Sequence, residues 1–423
     1  MFSKKVRGVR DILPDEAKKI DYIEEICQTS AKKFGFKKVI LPIIENLQLF
    51  YHTLGQTSDI VEKQMFIIQS RSSKETDTLT LRPEGTAGMV RFFVENNIKN
   101  KYPLKRFFYS GPMFRYERPQ KGRYREFYQF GFEIFDEAPV SSDVILISLI
   151  NEILKKLSIE YVLEINSIGC INCRPKLLEN IKKELKKIEN ILCDVCKIKL
   201  EKNPLRILDC KMDISKIEET DVLKNINFIE NICNECKENF EDTIKLFDYL
   251  SINYKINTFI VRGLDYYNGL VFEYKSFNLN AAQNTICAGG RYDFLVKQFD
   301  TQINYACGAA LGIDRVAELL SENFKDFESK TKIGIAIVDD KYIPKSFEIL
   351  NMISKNLKDF SILGPFIKRS LKSQLRLFNS EGCRYVIIIG DEIKENKVII
   401  KDFTKNFQKI LKLEELPNSI YEI

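Results

Sequence analysis

The chain has 423 residues, of which 44% are hydrophobic and 29% charged, so a largely disordered protein is excluded and about two to four domains are expected. Its 65 basic and 59 acidic side chains leave a formal net charge of +6, which permits a polyanionic partner without requiring one. Because His52 is the single histidine, multi-histidine metal catalysis is excluded, and any Ser-His-Asp or Cys-His hydrolysis would depend on that one residue.

No secretory signal is predicted, because no apolar run follows the charged N-terminus. The longest apolar stretch, near Val144–Ile150, is far shorter than the roughly 18–20 residues that a membrane span needs. Eleven cysteines without a secretion signal indicate a reducing compartment. We expect a cytoplasmic protein with no membrane partner.

The first part of the chain predicts an α+β domain. Apolar residues at helical spacing predict a helix over residues 15–34, and Lys37–Ile44 predicts a strand that Pro42 restricts to a sheet edge or an interface. Further strands are predicted over Thr78–Arg82, Arg106–Ser110, Met113–Arg118 and Glu126–Phe135. Antiparallel strands with helices before and between them are typical of the α+β class.

Seven of the eleven cysteines lie between residues 170 and 236, among Lys/Glu-rich helical runs. We predict a helical insertion at about 170–255 within a first domain that covers 1–325. Strands resume at Asn257–Tyr274 and Asn284–Tyr292. A polar linker near 321–332 then leads to a compact α/β module over 331–423, with strands at Ile333–Val338, Tyr385–Ile389 and Val398–Ile400 and helices at Pro344–Leu357 and Ser370–Ser380.

The strand Glu126–Phe135 carries the strongest signal for a pocket. Alternation places one apolar set on a core face: Tyr128, Phe130, Phe132 and Ile134. The opposite face carries Phe127, Gln129, Gly131, Glu133 and Phe135. Two polar side chains around a glycine predict a pocket floor in which the glycine leaves room for a ligand. A half-exposed sheet face is an equal alternative on this strand alone.

The segment Arg115–Arg125, directly upstream, contains four Arg and one Lys in eleven residues. Its Pro and Gly predict a hairpin loop, and guanidinium groups beside an acceptor-lined pocket are suited to bidentate phosphate binding. A solvated basic loop is the weaker alternative.

Three segments resemble, in order and spacing, the motifs of class II aminoacyl-tRNA synthetases. Gly35–Glu45 resembles motif 1, the dimer-interface element. Arg115–Arg125 with Phe127 resembles the ATP-binding motif 2, and Gly308–Arg315 resembles motif 3, which delivers an arginine to ATP.

Further segments resemble histidyl-tRNA synthetases in particular. Arg262–Glu273 and Ala288–Asp293 resemble that family's two histidine-specific motifs, and Leu81–Gly88 resembles a segment that lines its histidine pocket. The resemblance covers essentially the whole chain, including the C-terminal module, which resembles the family's anticodon-binding domain. Asn268 and Phe294 replace a commonly seen Thr and Gly at positions that flank the motifs.

The resemblance implies ATP-dependent activation of L-histidine to histidyl-adenylate and its transfer to tRNA(His) by a homodimer. It implies a class II antiparallel-sheet catalytic domain over 1–325, containing the insertion, and an α/β anticodon-binding domain over 331–423. ATP would carry Mg²⁺ on its outer phosphates, and no protein metal ligand is implied for catalysis.

The resemblance also implies roles for individual residues. Arg262 is the central catalytic residue, and Arg115 is catalytic by clamping the α-phosphate. The implied ATP site consists of Arg115, Glu117, Arg123, Phe127 and Arg315, with Phe127 and Arg315 on the two faces of the adenine. The implied histidine site consists of Glu84, Gly85, Thr86, Gln129, Glu133, Tyr266 and Tyr267, in which Glu133 accepts from an imidazole nitrogen and a tyrosine serves the other.

Two alternatives were weighed for the function. A catalytically inactive, synthetase-like regulatory subunit of histidine biosynthesis typically lacks the C-terminal module and loses the catalytic motifs, and this chain has both. Another class II synthetase, of the prolyl or threonyl type, lacks the segment beginning at Arg262.

The cysteines leave a second question open. Cys170, Cys173, Cys193 and Cys196 match the zinc template C-x2-C-x19-C-x2-C, and the alternative ligands are Cys210, Cys233 and Cys236. Because the implied catalysis needs no structural zinc, reduced thiols are the favoured interpretation and a structural zinc site is the less favoured one.

Overall fold

The computed structural model describes residues 4–55, 60–69, 78–120, 122–208, 210, 212–222, 226, 228–261, 264, 266–280, 283–299, 303–320, 331–357, 360–405 and 407–422. The chain divides into two compact units, Met1–Lys325 and Asp326–Ile423. Within the described ranges, every helix is too short or too polar to cross a membrane.

The first unit is built on a large, mostly antiparallel sheet. Its described strands are β1 (Lys37–Lys38), β2 (Ile44–Asn46), β3 (Phe66–Ile68), β4 (Leu79–Leu81), β5 (Arg106–Phe114), β6 (Glu126–Phe135), β7 (Val162–Ser167), β8 (Lys255–Ile256), β9 (Asn268–Lys275), β10 (Thr285–Arg291) and β11 (Ala306–Gly312). The large sheet has the order β1-β5-β6-β11-β10-β9-β7-β8, and β2-β4-β3 form a small second sheet. The six central strands of the large sheet, β5-β6-β11-β10-β9-β7, pair antiparallel, and the edge strands β1 and β8 pair parallel with their neighbours. This arrangement confirms the predicted α+β class.

The helices described in this unit are Pro14–Lys33, Leu47–Leu54, Thr86–Glu95, Ile98–Lys101, Ser141–Lys156, Arg174–Lys186, Asp194–Lys202, Ile214–Glu218, Asn234–Tyr249, Asp293–Phe299 and Ile313–Leu319. The first helix has Pro14 at its first position, where proline's missing N–H costs no helical hydrogen bond. Its buried Ile23 and Cys27 belong to the same hydrophobic core as Phe130 and Phe132 of β6. The predicted helix and the predicted core face are therefore confirmed.

The predicted strand over Lys37–Ile44 is wrong, because the chain forms two short strands that belong to different sheets. Pro42 lies between them and has no N–H to donate to a strand ladder. The Arg82 guanidinium instead donates to the carbonyl oxygens of Leu41 and Pro42, at 3.0 and 3.3 Å, and to that of Pro112 in β5, at 2.9 Å. This arginine joins the segment to the large sheet.

Two other strand predictions were wrong in their bounds. The two strands expected at Arg106–Ser110 and Met113–Arg118 are one continuous strand, because Gly111 and Pro112 keep their register opposite β6. The strand expected over Asn257–Tyr274 begins only at Asn268, after the short strand β8.

The second unit contains a mixed sheet with helices. Its described strands are β12 (Thr331–Ile337), β13 (Phe360–Leu363), β14 (Tyr385–Ile389), β15 (Lys397–Asp402) and β16 (Phe407–Lys412), in the order β13-β12-β14-β15-β16. The described helices are Ile343–Asn356, Leu371–Ser380 and Leu416–Glu422. The sequence missed β13 and β16, which are the two edge strands, because edge strands carry a weaker apolar signal than the buried centre.

Candidate active site

A cavity of about 310 Å³ is lined by residues of β6, β10 and β11 in the large sheet and by the loops beside them. Most of the predicted site residues line it: Glu84, Thr86, Arg115, Glu117, Arg123, Phe127, Gln129, Tyr266, Tyr267 and Arg315. Gly85 and Glu133 are not lining residues, although Glu133 binds two residues that are. Arg262 lies outside the described residues, so its predicted position stays untested.

Glu84 lines the cavity just before the helix that begins at Thr86, and we call the part of the cavity around it the acidic end. Its two carboxylate oxygens accept from the backbone N–H groups of Thr86 and Ala87, at 2.7 and 2.8 Å. Burial raises the pKa of this carboxyl, and the two backbone hydrogen bonds oppose that rise. Glu84 therefore caps a helix and also presents a buried acidic group to the cavity.

Glu133 on β6 is fully buried and is surrounded by hydroxyl donors. Thr86 Oγ1 donates to its Oε1 at 2.9 Å, the Tyr109 hydroxyl donates to the same oxygen at 3.4 Å, and the Tyr292 hydroxyl donates to Oε2 at 2.6 Å. Burial raises the pKa of the Glu133 carboxyl to about 8, although these hydrogen bonds lower it. The carboxyl is therefore poised to change charge near neutral pH.

Three glycines make room for this acidic cluster. A Cβ on Gly131 would lie 2.0 Å from Tyr109 Cζ, and a Cβ on Gly85 would lie 2.2 Å from Tyr109 Cε2. A Cβ on Gly308 of β11 would lie 1.7 Å from Glu133 Oε2. The prediction that Gly131 leaves room for a ligand is wrong, because the aromatic ring of Tyr109 occupies that space.

Gln129 and two tyrosines complete the polar lining of this end. The side-chain oxygen of Gln129 is buried and has no hydrogen-bond partner among the described residues. Tyr266 and Tyr267 are buried with ring centres 4.6 Å apart, and burial raises the pKa of the Tyr266 hydroxyl. A buried acceptor without a partner is costly unless a ligand donates to it, so Gln129 points to a donor-bearing ligand.

Three arginines also line the cavity, Arg115, Arg123 and Arg315, and we call the part around them the arginine end. Arg115 donates from Nε to the Pro83 carbonyl at 2.9 Å, and its guanidinium carbon lies 5.1 Å from the ring centre of Phe127. Arg315 donates to the Thr285 carbonyl at 2.6 Å, from the first turn of the helix that follows β11.

The charges of these arginines act on one another. Burial lowers the pKa of Arg123 and of Arg315, and the neighbouring charge of Arg115 lowers both further. Arg123 is paired with Glu117. Mutual repulsion among guanidinium groups is relieved by an anion, so this end of the cavity is suited to a polyphosphate.

The sequence missed Tyr109 and Tyr292, the two hydroxyl donors to Glu133. Tyr109 lies directly opposite Gly131 in the pairing of β5 with β6, and Tyr292 follows the end of β10. The strand register would have located Tyr109, but register is not visible in the sequence of one strand.

Comparison with known proteins identifies the family. The family model described as histidyl-tRNA synthetase matches residues 8–316. The chain belongs to the histidyl-tRNA synthetase family. It is 38% identical over 418 residues to the histidine–tRNA ligase of Aquifex aeolicus, covering 98% of this chain and all of that relative. It is 39% identical over 414 residues to the histidine–tRNA ligase of Thermodesulfovibrio yellowstonii, covering 97% and 96% of the two chains.

A solved structure of the family has the same fold. The crystal structure of apo histidyl-tRNA synthetase from S. aureus superposes with a TM-score of 0.80 at 28% identity, and the match covers 99% of each chain. Family membership makes the chain an aminoacyl-tRNA ligase, and the synthetase-like fold predicted from the sequence is confirmed.

Proposed function

We propose that the cavity binds histidine at its acidic end and ATP at its arginine end, with the reacting carboxylate and α-phosphate meeting between them. The chain is a histidine–tRNA ligase, which activates L-histidine to histidyl-adenylate and transfers it to tRNA(His). The single observation that supports this arrangement best is that the acidic Glu84 and three arginines, Arg115, Arg123 and Arg315, all line one cavity. The regulatory-subunit alternative has weaker support, because the relatives matched over nearly the full chain are named histidine–tRNA ligase.

The chemistry asks for positioning and charge stabilisation rather than for a general base. The histidine carboxylate is already ionised when it attacks the α-phosphate, and diphosphate leaves with its electron pair. Arg115 and Arg262 are the proposed catalytic residues, because guanidinium groups at the α-phosphate stabilise the charge that develops there. A chain with one histidine can carry out this reaction.

The proposed ATP site uses Arg115, Glu117, Arg123, Phe127 and Arg315. Phe127 and Arg315 offer an aromatic ring and a planar cation as two faces for the adenine. Arg123 is paired with Glu117 in the free protein, and the outer phosphates of ATP would replace Glu117 as its anionic partner. Mg²⁺ is proposed to bind these phosphates together with water, so no protein cage is required.

The proposed ammonium site uses Glu84, Thr86 and Gln129. Each carboxylate oxygen of Glu84 has a further lone pair beyond its backbone hydrogen bond, and the buried Gln129 oxygen offers an acceptor. Gly85 contributes by leaving space for Tyr109, which holds Glu133.

The proposed imidazole site uses Glu133 with Tyr266 and Tyr267. Glu133 accepts from one ring N–H, and a tyrosine hydroxyl serves the other nitrogen. A different side chain would leave these buried groups unpaired, and such a loss discriminates by about 10⁴-fold or more without editing.

The decisive experiment is ATP–diphosphate exchange measured with each amino acid in turn. Exchange should depend on histidine alone, and Arg262→Ala in a folded protein should lower the activation rate by ~10²-fold or more, while histidine binding weakens less. Absence of exchange with every amino acid would favour the regulatory alternative. Near-normal activation by the variant would remove Arg262 from the catalytic role.

We propose that residues 331–423 bind the tRNA anticodon. Deleting them should leave histidine activation measurable and should remove most tRNA charging, because the truncated protein loses part of its contact with a polyanion. Raising the salt concentration should weaken tRNA binding by the full-length protein. Equal retention of both activities would show that this unit does not bind tRNA.

We further propose a cytoplasmic homodimer, assembled through Phe36–Ile44 and the helix before it. Three apolar side chains of this segment are exposed in the single chain: Ile40 at 84%, Ile43 at 41% and Ile44 at 52%. A contiguous exposed apolar segment is typical of an interface. Sedimentation should show a dimer at micromolar protein, and Ile40→Glu should dissociate it. A fully active wild-type monomer would contradict the proposal.

A further inference from the structure

The helical segment between β7 and β8 contains two clusters of metal-ligand side chains. The outer cluster consists of Cys170, Cys173, Cys233 and Cys236, and the inner cluster consists of Cys193, Cys196, Cys210 and Asp213. Within each cluster, all four ligand atoms lie within 4.8 Å of one another. The four cysteines of the zinc template do not meet in one cluster, because the alternative ligands Cys233 and Cys236 lie beside Cys170 and Cys173.

The sulfur positions of the outer cluster fit a tetrahedral metal ion. Cys170 Sγ lies 3.7 Å from Cys173 Sγ and 3.8 Å from Cys233 Sγ, and Cys173 Sγ lies 4.0 Å from Cys236 Sγ. A tetrahedron with zinc–sulfur bonds of about 2.3 Å has edges of about 3.8 Å. The spacing is far longer than the roughly 2.05 Å of a disulfide bond, and all four thiols are free.

The inner cluster offers three sulfurs and one carboxylate. Asp213 is fully buried, and its Oδ2 accepts from the backbone N–H of Cys193 at 2.9 Å, which fixes the carboxylate beside the sulfurs. Its Oδ1 lies 3.4 Å from Lys216 Nζ. Carboxylate oxygens are established zinc ligands, and hydrogen-bonded ligands of this kind hold a metal in a defined geometry.

The chain spacing and the helix ends agree with metal binding. Every ligand pair has two residues between its members, including Cys210 and Asp213. Cys173, Cys193 and Cys233 each cap the N-terminus of a helix of nine residues or more. A metal ion bound by these cysteines would therefore hold the starts of three helices.

We propose that this segment binds two structural zinc ions, one in the outer cluster and one in the inner cluster. The inner ligands lie between the two outer pairs in the sequence. The outer ion therefore connects the two ends of the helical segment, and the inner ion connects residues in its middle. Thiolate-rich tetrahedral sets select zinc among the common divalent metals of the reducing cytoplasm. The helices of this segment are rich in charged residues. Zinc would stabilise their folded arrangement, because the metal site does not exist in the unfolded chain and the free energy of binding adds to that of folding.

The outer cluster is also joined to the wall of the proposed histidine pocket. Arg174 follows Cys173 directly, and its guanidinium donates to the backbone carbonyl of Tyr267 at 2.7 Å. Gly169, next to Cys170, accepts from the N–H of Gly269 at 2.8 Å. Arg174 is therefore a positioning residue for Tyr267, and the outer zinc ion holds Arg174 in place.

The first test is the metal content of the full-length protein purified without added metal and dialysed against a weak chelator. We expect about two zinc ions per chain. Replacement by Co²⁺ should give the intense thiolate-to-metal and d–d absorption bands of a tetrahedral site. Folded protein that contains no zinc would overturn the proposal, and so would iron in place of zinc.

The second test separates the two sites. Cys233→Ser and Cys210→Ser should each lower the zinc content from about two to about one per chain, and the double variant should lower it to about none. Cys383→Ala, in the second unit, is the control and should keep two. Full zinc content in either single variant would overturn the corresponding site. If a variant fails to fold, the zinc content and the cobalt spectrum of the wild type still decide.

The third test concerns the connection to the pocket. Arg174→Ala should retain two zinc ions but raise the KM for histidine several-fold, with little change in the KM for ATP. Cys233→Ser should raise the KM for histidine in the same way. An unchanged KM for histidine in both variants, with zinc lost from the second, would overturn the positioning role and leave the zinc sites standing.

Discussion

The charged side chains at the acidic end and at the arginine end of the cavity have opposite kinds of hydrogen-bond partner and opposite pKa shifts. At the acidic end, protein donors surround the carboxyl of Glu133, and burial raises its pKa to about 8. At the arginine end, backbone carbonyls accept from Arg115 and Arg315, and burial lowers the pKa of Arg315. Each end is therefore electrostatically unfavourable when empty, and each is relieved by the charge that one substrate brings.

This contrast shows how one cavity orients two substrates. The ammonium and imidazole N–H groups of histidine suit the acidic end, and the phosphates of ATP suit the arginine end. In the proposed arrangement, the histidine carboxylate and the α-phosphate meet between these groups, where attack would take place. Weakening one end should affect rate or affinity in a way that differs from weakening the other.

Removing charge from the arginine end should have the largest effect. Arg115→Ala should lower the rate of adenylate formation by ~10²–10³-fold, because a donor aimed at developing charge is lost. Stopped-flow activation without tRNA is the measurement. Arg118→Ala, an exposed arginine of the same loop outside the cavity lining, is the control and should change the rate little. Equal effects of the two variants would mean that the total positive charge of the loop accelerates the reaction, and not a specific contact of Arg115 with the α-phosphate.

Removing charge from the acidic end should mainly weaken histidine binding. Above about pH 8, where the Glu133 carboxyl is ionised, Glu133→Gln keeps the shape but removes a charged acceptor, which should cost about 2 kcal/mol of binding, or roughly 30-fold in Kd for histidine. The affinity for ATP should stay near the wild-type value. Calorimetry with each substrate checks this, with Glu95→Gln as the control because that side chain is 60% exposed. Unchanged histidine binding would mean that the imidazole does not use Glu133.

The glycine beside Tyr109 should matter for stability. Gly131→Ala places a Cβ against the Tyr109 ring and should lower the free energy of unfolding by about 1–3 kcal/mol, as overpacking does. Gly312→Ala is the matched control, because its Cβ would meet nothing closer than 3.8 Å. Urea denaturation of both variants is the measurement. If Gly131→Ala is as stable as the control, Tyr109 has room to move away and is not held against Glu133.

The smallest effect concerns pH. The raised pKa of Glu133 means that the free protein holds this carboxyl protonated below about pH 8, whereas an imidazole N–H prefers the ionised form. Histidine affinity should therefore rise about fivefold between pH 7 and pH 8, as the carboxyl ionises. Glu133→Gln should flatten this rise. A wild-type affinity that is independent of pH over this interval would place the pKa of Glu133 well below 7.

The sequence predicted best where local pattern and tertiary context agree. The strand over Glu126–Phe135 was located to the residue because its apolar face is continuous. The segment Gly308–Arg315, assigned by its resemblance to motif 3, forms the end of β11 and the start of the next helix. The site residues other than Arg262, Gly85 and Glu133 came together in one cavity, as the resemblance implied.

The failures have one physical cause, which is that spatial neighbours far apart in the chain leave no periodic signal. Tyr109 reaches Glu133 through strand register, and Cys170 reaches Cys233 across the whole helical segment. The segment around Pro42 was misassigned because its carbonyls bind a distant side chain, Arg82, rather than a neighbouring strand. The alternation of apolar residues along one segment does not show which distant residues that segment contacts.

Arg82 also has a mechanical consequence. Its guanidinium donates to the carbonyls of Leu41 and Pro42, and the residue after it, Pro83, accepts from Arg115, the proposed phosphate ligand. The segment around Leu41 and Pro42 is thus connected to Arg115 through the Arg82 side chain, the peptide bond between Arg82 and Pro83, and the hydrogen bonds at each end. In the proposed homodimer, a second subunit that moved this segment would also move Arg115, so the two active sites of the dimer would be coupled.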